Sequence, residues 1–234
     1  PDEEMLRIVP KSKNFKISLY DFLKKYSLKI EDHYKIKKFC SKIKIKYLCT
    51  PFSLKAAYEL NRIGVQWFKI GSGEFTDTPF LKELKKFNKP IILSTGMSDL
   101  KEIDMIYQLM SKKYNDKIAL MNCTSEYPPS YKDLNLGFIT TMRAKYKKAI
   151  IGHSDHTNDI FTSLAAVSLG AKIIEKHVYL DNLNNGPDRD VSISFQQLKN
   201  LINQIRLLEK ALGTSKKVHR LEKKIRSWAH RSLV

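Results

Sequence analysis

The chain has 234 residues, 42% of them hydrophobic, and a formal charge of +18 from 42 Lys and Arg against 24 Asp and Glu. That length suits one domain near the size of a β/α barrel, and no apolar stretch is long enough to cross a bilayer, so a membrane-spanning protein is excluded. The positive residues are spread over the helical stretches and interleaved with Ile and Asn, not gathered in one stripe with stacking aromatics, which weakens a nucleic-acid-binding reading.

In chain order, residues 1–44 read as a lysine-rich, helical lead-in, with Leu19, Phe22, Leu23 and Tyr26 on one face; Leu6 to Val9 could form a short strand. Six apolar runs then begin at residues 47, 67, 90, 118, 149 and 172, spaced for strand plus helix plus two loops. Between them lie amphipathic stretches. Ser53 caps one carrying Leu54, Ala57, Leu60 and Ile63, which stops at Gly64; Thr78-Pro79 opens one with Leu81, Leu84 and Phe87. Ser98 caps one with Leu100, Ile103, Ile106 and Met110, and Asn158 precedes one with Phe161, Leu164 and Val167 that ends at Gly170. Ser194 opens the last, where Leu198, Leu201, Ile205, Leu208 and Leu212 are expected to face inward before Gly213.

Strands apolar throughout and alternating with helices predict a parallel sheet buried on both faces, and polar clusters at every strand end predict an α/β fold of the TIM-barrel type. The prediction is an incomplete (β/α) barrel with six of eight strands over residues 45–213. The chain starts at Pro1, not Met, and stops on an apolar trio, so both ends look cut. Three cysteines, Cys40, Cys49 and Cys123, form no C-x-x-C pair; Cys49 and Cys123 read as small core residues, and a reducing, cytoplasmic location is expected.

The strand ends carry the chemistry. Lys69-Ile-Gly-Ser-Gly-Glu74 places a lysine inside an apolar strand, two glycines that let a ligand approach the backbone, the Ser72 hydroxyl, and the Glu74 carboxylate at the rim. A lone G-x-G is usually just a turn, but a buried lysine is costly without an anion to pair with. Thr50, Ser72, Ser94 and Ser154 add hydroxyls around the same mouth, and phosphate recognition needs several short donors plus a cation. His156 and His177 end consecutive units beside Asp155 and Glu175, a plausible divalent-metal pair with open positions. A lone strand-end histidine is more often structural, and His153, His33, His219 and His230 lack this setting.

Taken in order, Thr50-Pro-Phe-Ser, Lys-Ile-Gly-Ser-Gly-Glu, Ile-Leu-Ser-Thr-Gly-Met, Cys-Thr-Ser-Glu-Tyr-Pro, Gly-His-Ser-Asp-His-Thr, Glu-Lys-His and Gly186-Pro187-Asp188 resemble the N-acetylneuraminate (sialic acid) synthases and their legionaminate and pseudaminate relatives, across about residues 44–213. The resemblance implies condensation of phosphoenolpyruvate with an N-acetylated aminosugar, such as N-acetylmannosamine, to a nonulosonic acid with release of phosphate. It implies Mn²⁺, Mg²⁺ or Co²⁺ on His156 and His177. Thr50, Lys69, Ser72, Ser94, Ser125 and Ser154 match positions that hold phosphoenolpyruvate, and Glu74, Tyr127 and Asp188 match catalytic positions near the sugar.

By the same resemblance, the first two barrel strands and a C-terminal antifreeze-like domain, whose arginine reaches the partner's active site in a homodimer, are expected to be missing here, with residues 214–234 a linker toward that domain. Ser125 stands where some members have Asn, which leaves the sugar open. The 234 residues alone are therefore expected to turn over poorly. The rival readings are a non-catalytic remnant of such a synthase and, more weakly, a basic nucleic-acid-binding module.

Overall fold

Five of the six apolar runs form parallel strands that lie side by side in chain order. They are β1 (Phe68–Ile70), β2 (Ile91–Ser94), β3 (Ile118–Cys123), β4 (Ile150–Asp155) and β5 (Ile173–Tyr179), and β6 (Ser192–Ser194) extends the sheet beside β5. The computed structural model describes residues 19–112, 117–181, 186 and 188–231, side chains at 19, 20, 22 and 23 excepted. The expected Leu6–Val9 strand and the face carrying Leu19, Phe22 and Leu23 lie outside what is described. Six parallel strands in sequential order make a half-barrel.

Strand periodicity divides the sheet into two faces. Phe68 and Ile70, Ile91 and Leu93, Ile118 and Leu120, and Ile151 belong to the large core shared with the helices. Their alternates pack elsewhere: Ile92, Ala119 and Met121 form a small separate cluster with Ile173, and Lys69 pairs in register with Ile92 on that same inner face. The inner face becomes polar toward the strand ends, where Cys123, Ser154 and Glu175 lie in one rung across β3, β4 and β5. Lys69 and this rung are thus brought to one side by backbone geometry alone.

The outer layer comprises α3 (Leu54–Ile63), α4 (Thr78–Lys86), α5 (Leu100–Ser111), α6 (Phe138–Lys145), α7 (Phe161–Ser168) and α8 (Phe195–Ala211). The lead-in supplies α1 (Leu19–Tyr26) and α2 (Ile30–Lys42), and α9 (Arg220–Ala229) ends the described chain. Ser53 caps α3 by accepting from the Ala56 N–H, and Gly64 ends it in the left-handed conformation at φ 81°. Two expected caps move by one residue: Asp77 caps α4, and Asp99 with Glu102 forms a capping box on α5. Aspartate, equally good as an N-cap, takes the position one residue before Thr78 in the first case and one residue after Ser98 in the second.

Three expectations need correction. Tyr47 to Thr50 joins no ladder; Tyr47 and Cys49 still pack on the core, while the Tyr47 hydroxyl meets His33 Nδ1 at 2.5 Å. Six strands are reached because Ser192–Ser194, of which only Ser194 was expected and as a helix start, pairs with His177, Val178 and Tyr179 of β5. On α7, Phe161 is exposed and Leu164 half-buried, whereas Thr162, Ser163, Ala166 and Val167 face in. A buried carboxylate, Asp155, draws the Thr162 and Ser163 hydroxyls inward. On α8 only Leu201 is buried, and Leu212 is exposed.

Gly152 leaves no room for a side chain on the inner face of β4. A Cβ there would lie 2.4 Å from Met121 Sδ and 2.8 Å from the Ile173 carbonyl oxygen. The sulfur can move but a strand carbonyl cannot without breaking the β4–β5 ladder, so Gly152→Ala is expected to destabilise the fold by about 1–3 kcal/mol, as overpacked cores do. Urea unfolding should show a lower midpoint at unchanged slope.

Candidate active site

At the C-terminal ends of the strands lies a cavity of about 600 Å³. Of the sequence-predicted residues, Thr50, Lys69, Ser72, Glu74, Ser94, Ser125, Tyr127, Ser154, His156 and His177 line it; Asp188 sits beside it, its Oδ2 3.7 Å from His177 Nδ1. Phe52, Gly71, Gly73, Met97, Cys123, Glu175 and Lys176 complete the lining.

Lys69 is 7% exposed. Its Nζ lies 3.4 Å from Glu175 Oε2 and donates to the Ile70 carbonyl at 3.2 Å, while Ser154 Oγ donates to Glu175 Oε1 at 2.7 Å. An internal carboxylate thus engages the lysine and one hydroxyl expected to hold an anionic ligand. Nearby, a Cβ on Gly96 would fall 2.2 Å from Ser125 Oγ and 2.6 Å from Ser72 Oγ, so only glycine lets those hydroxyls and Cys123 draw together. Among the described residues, the buried Ser94 Oγ and Glu74 Oε2 make no hydrogen bond. Burial raises the Glu74 carboxyl above its ordinary value, so a proton is held more readily there.

The two histidines approach across adjacent strands, their ring centroids 5.3 Å apart. His156 Nδ1 lies 2.9 Å from the Thr124 carbonyl, which can only accept, so in the neutral ring Nδ1 carries the proton and Nε2 keeps its lone pair. The Tyr127 hydroxyl, 3.0 Å away, donates to that Nε2, and its ring stacks on the imidazole. Burial pushes the Tyr127 phenol up to about 12, which keeps it a donor. Burial lowers the His156 imidazole, but hydrogen bonds to Cys123 and to the Thr124 carbonyl bring it above its usual value. His177 is lowered by burial despite Asp188. Two imidazoles on one wall are chemically suited to a divalent ion, although among the described residues no cluster of three His, Cys, Asp or Glu side chains is found.

Asp155, expected to favour metal binding beside His156, points the other way. It is fully buried on the helix side and pairs with Lys176 Nζ at 3.0 Å. Burial would raise its carboxyl, but Lys176 and donors from Ser163, Thr162 and Thr157 hold it below the usual range. His153 is also buried, with Nδ1 3.0 Å from the Asn122 carbonyl, and does not line the cavity. Cys123, expected as plain core, faces Ser72 at 3.6 Å and Ser125 at 3.9 Å inside the cavity. Glu175 was expected only as a carboxylate beside His177, and Cys123 only as core; strand parity through β5 puts Glu175 and His177 on the cavity face, while the Lys176 side chain turns to the helices and pairs with Asp155.

A profile of the NeuB family matches residues 3–217. The chain belongs to the NeuB family. Among relatives, it is 40% identical over 220 residues to the N,N'-diacetyllegionaminic acid synthase of Campylobacter jejuni, covering 93% of this chain and 66% of that one. It is 32% identical over 187 residues to the human N-acetylneuraminate-9-phosphate synthase, covering 80% and 52%. The N-acetylneuraminic acid synthetase of Leptospira borgpetersenii, solved with citrate, superposes with a TM-score of 0.83 at 30% identity over 91% of this chain and 75% of that one. The chain therefore spans about half to two thirds of the length of these NeuB-type sequence relatives. Among the described residues no helix is long and apolar enough to cross a membrane.

Proposed function

We propose that the chain carries the substrate-binding half-barrel of a phosphoenolpyruvate-dependent synthase that extends an N-acetylated aminosugar to a nonulosonic acid. The observation that supports this best is the convergence, in one cavity, of the buried Lys69 ammonium with the Ser72, Ser94 and Ser154 hydroxyls, below two imidazoles on the same wall. A small phosphorylated carboxylate needs that combination of fixed cation and short donors. Lys69, Thr50, Ser72, Ser94, Ser125 and Ser154 would hold phosphoenolpyruvate, with Glu175 yielding its contacts to Lys69 and Ser154 as the anion enters.

In the proposed reaction, carbon 3 of phosphoenolpyruvate forms the new bond to the aldehyde carbon of the open-chain sugar, and the aldehyde oxygen takes a proton. Water adds to the carbon 2 cation and loses a proton, and phosphate leaves by cleavage of its bond to carbon 2. His156 and His177 would hold a divalent ion, Mn²⁺, Mg²⁺ or Co²⁺, which when bound supplies Lewis-acid polarisation of the aldehyde. Glu74, whose burial favours the protonated form, is placed to exchange a proton with a sugar hydroxyl or the attacking water. Asp188 would orient the His177 imidazole, and the Tyr127 hydroxyl would release His156 Nε2 as the ion binds and turn toward the sugar.

The test uses the full-length gene product with Mn²⁺. Phosphate release from phosphoenolpyruvate should depend on an added N-acetylated aminosugar and match formation of a nonulosonic acid mole for mole. Absence of phosphoenolpyruvate binding by calorimetry, together with absence of product, would overturn the reading.

A further inference from the structure

The last cross-strand partners of the β4–β5 ladder are Asp155 and Lys176; His156 follows directly on the end of β4, and His177 is the next residue of β5. The ion pair lies on the outer, helix-facing side, one step before the two imidazoles turn inward. Its side chains are 0% and 3% exposed. Every polar group in it is engaged. Asp155 accepts from the Thr157 N–H at 2.9 Å, the Thr157 hydroxyl at 2.8 Å, Thr162 Oγ1 at 2.7 Å and Ser163 Oγ at 2.5 Å, besides Lys176. Lys176 also donates to the Thr157 carbonyl at 2.5 Å and to Thr157 Oγ1 at 3.1 Å.

These bonds tie down the backbone on both sides of His156. Asp155 precedes it, Thr157 follows it, and both are fastened to the residue that precedes His177. A buried ion pair contributes little net stability over a well-packed apolar pair, because desolvation offsets the attraction. Its directional bonds do something an apolar pair cannot: they fix register and orientation. We propose that Asp155 and Lys176 are positioning residues that set the separation and aim of His156 and His177 toward a shared divalent ion. The inference rests on the reading that those two imidazoles bind one ion.

The measurement is Mn²⁺ affinity, read by electron paramagnetic resonance on the folded chain, with no turnover required. Asp155→Asn alone leaves a buried ammonium unpaired and is liable to unfold, so the informative variant is the double substitution Asp155→Asn with Lys176→Met. It should stay folded by circular dichroism yet bind Mn²⁺ about 10- to 100-fold more weakly, the usual cost of losing groups that orient a metal ligand. Thr157→Val, which keeps both charges but removes the hydroxyl joining them, should weaken binding in the same direction. Ile106→Val, a remote core change, should lower the unfolding midpoint and leave Mn²⁺ affinity as it was.

Wild-type affinity in the double variant would overturn the inference while leaving the metal reading intact, as would a loss no larger than the remote core variant shows. If the wild-type chain binds no Mn²⁺, the metal reading and the inference fall together.

Discussion

Lys69→Met is expected to weaken phosphoenolpyruvate binding by about 30-fold to several thousand-fold, the range for removing one partner of a buried, hydrogen-bonded charge pair at about 1.4 kcal/mol per tenfold. The ammonium is buried and its nearest anion is the Glu175 carboxylate at 3.4 Å. Methionine keeps the length of the stem and deletes only the charge, so packing against the inner face is preserved. Glu175 is not stranded by the change. Its side chain is 38% exposed, so water can solvate it, and Ser154 still donates to Oε1. The fold should therefore survive, with an unchanged circular dichroism spectrum and only a small shift in unfolding midpoint. Calorimetric titration decides the matter, and unchanged affinity would remove Lys69 from the anion site.

Much of the architecture was legible because most strands are apolar on both faces and several helices announce their start with a capping side chain, whereas α6, which begins after Gly137 without one, went unread. The runs at 67, 90, 118, 149 and 172 all became strands, and Lys69 could be placed inside by parity alone. What could not be read was pairing. Tyr47 to Thr50 has strand composition, but composition does not supply a neighbour with matching donors, and the segment packs by side chains only. Ser192-Ile-Ser194 is too short and too polar to announce itself, yet it gains a ladder because β5 lies beside it.

The site was legible in the same uneven way. Ten of the eleven expected residues line one cavity because strand ends in a parallel sheet converge there. Asp155 was misassigned because adjacency in sequence suggested adjacency in space. In a strand, neighbours point to opposite faces, and Asp155 serves the helix side while His156 serves the cavity. The contact between Glu175 and Lys69 depends on register across the sheet, where Glu175 lies opposite Ser154 on β4, and register is not written in either segment alone.

His156→Ala and His177→Ala are each expected to lower Mn²⁺ affinity by more than about 100-fold, beyond the loss typical of groups that only orient a ligand. The argument starts from the donor set. Nδ1 of His156 is committed to the Thr124 carbonyl, which leaves Nε2 as its one available lone pair, at present capped by the Tyr127 hydroxyl. The second imidazole stands 5.3 Å away between ring centres, close enough for both to reach one ion. With no third His, Cys, Asp or Glu side chain suitably clustered among the described residues, one remaining imidazole is a weak monodentate site. Neither substitution removes a strand hydrogen bond, so the fold should hold, and paramagnetic resonance can count bound Mn²⁺ directly. In the full-length product, chelation should abolish condensation and added Mn²⁺ should restore it for the wild type but for neither alanine variant. Tyr127→Phe supplies the complementary result: it frees Nε2 of its hydroxyl partner, so Mn²⁺ affinity should be retained or rise. A strong loss of affinity in Tyr127→Phe would mean that the phenol itself is a ligand, and retained affinity in both alanine variants would place the ion elsewhere.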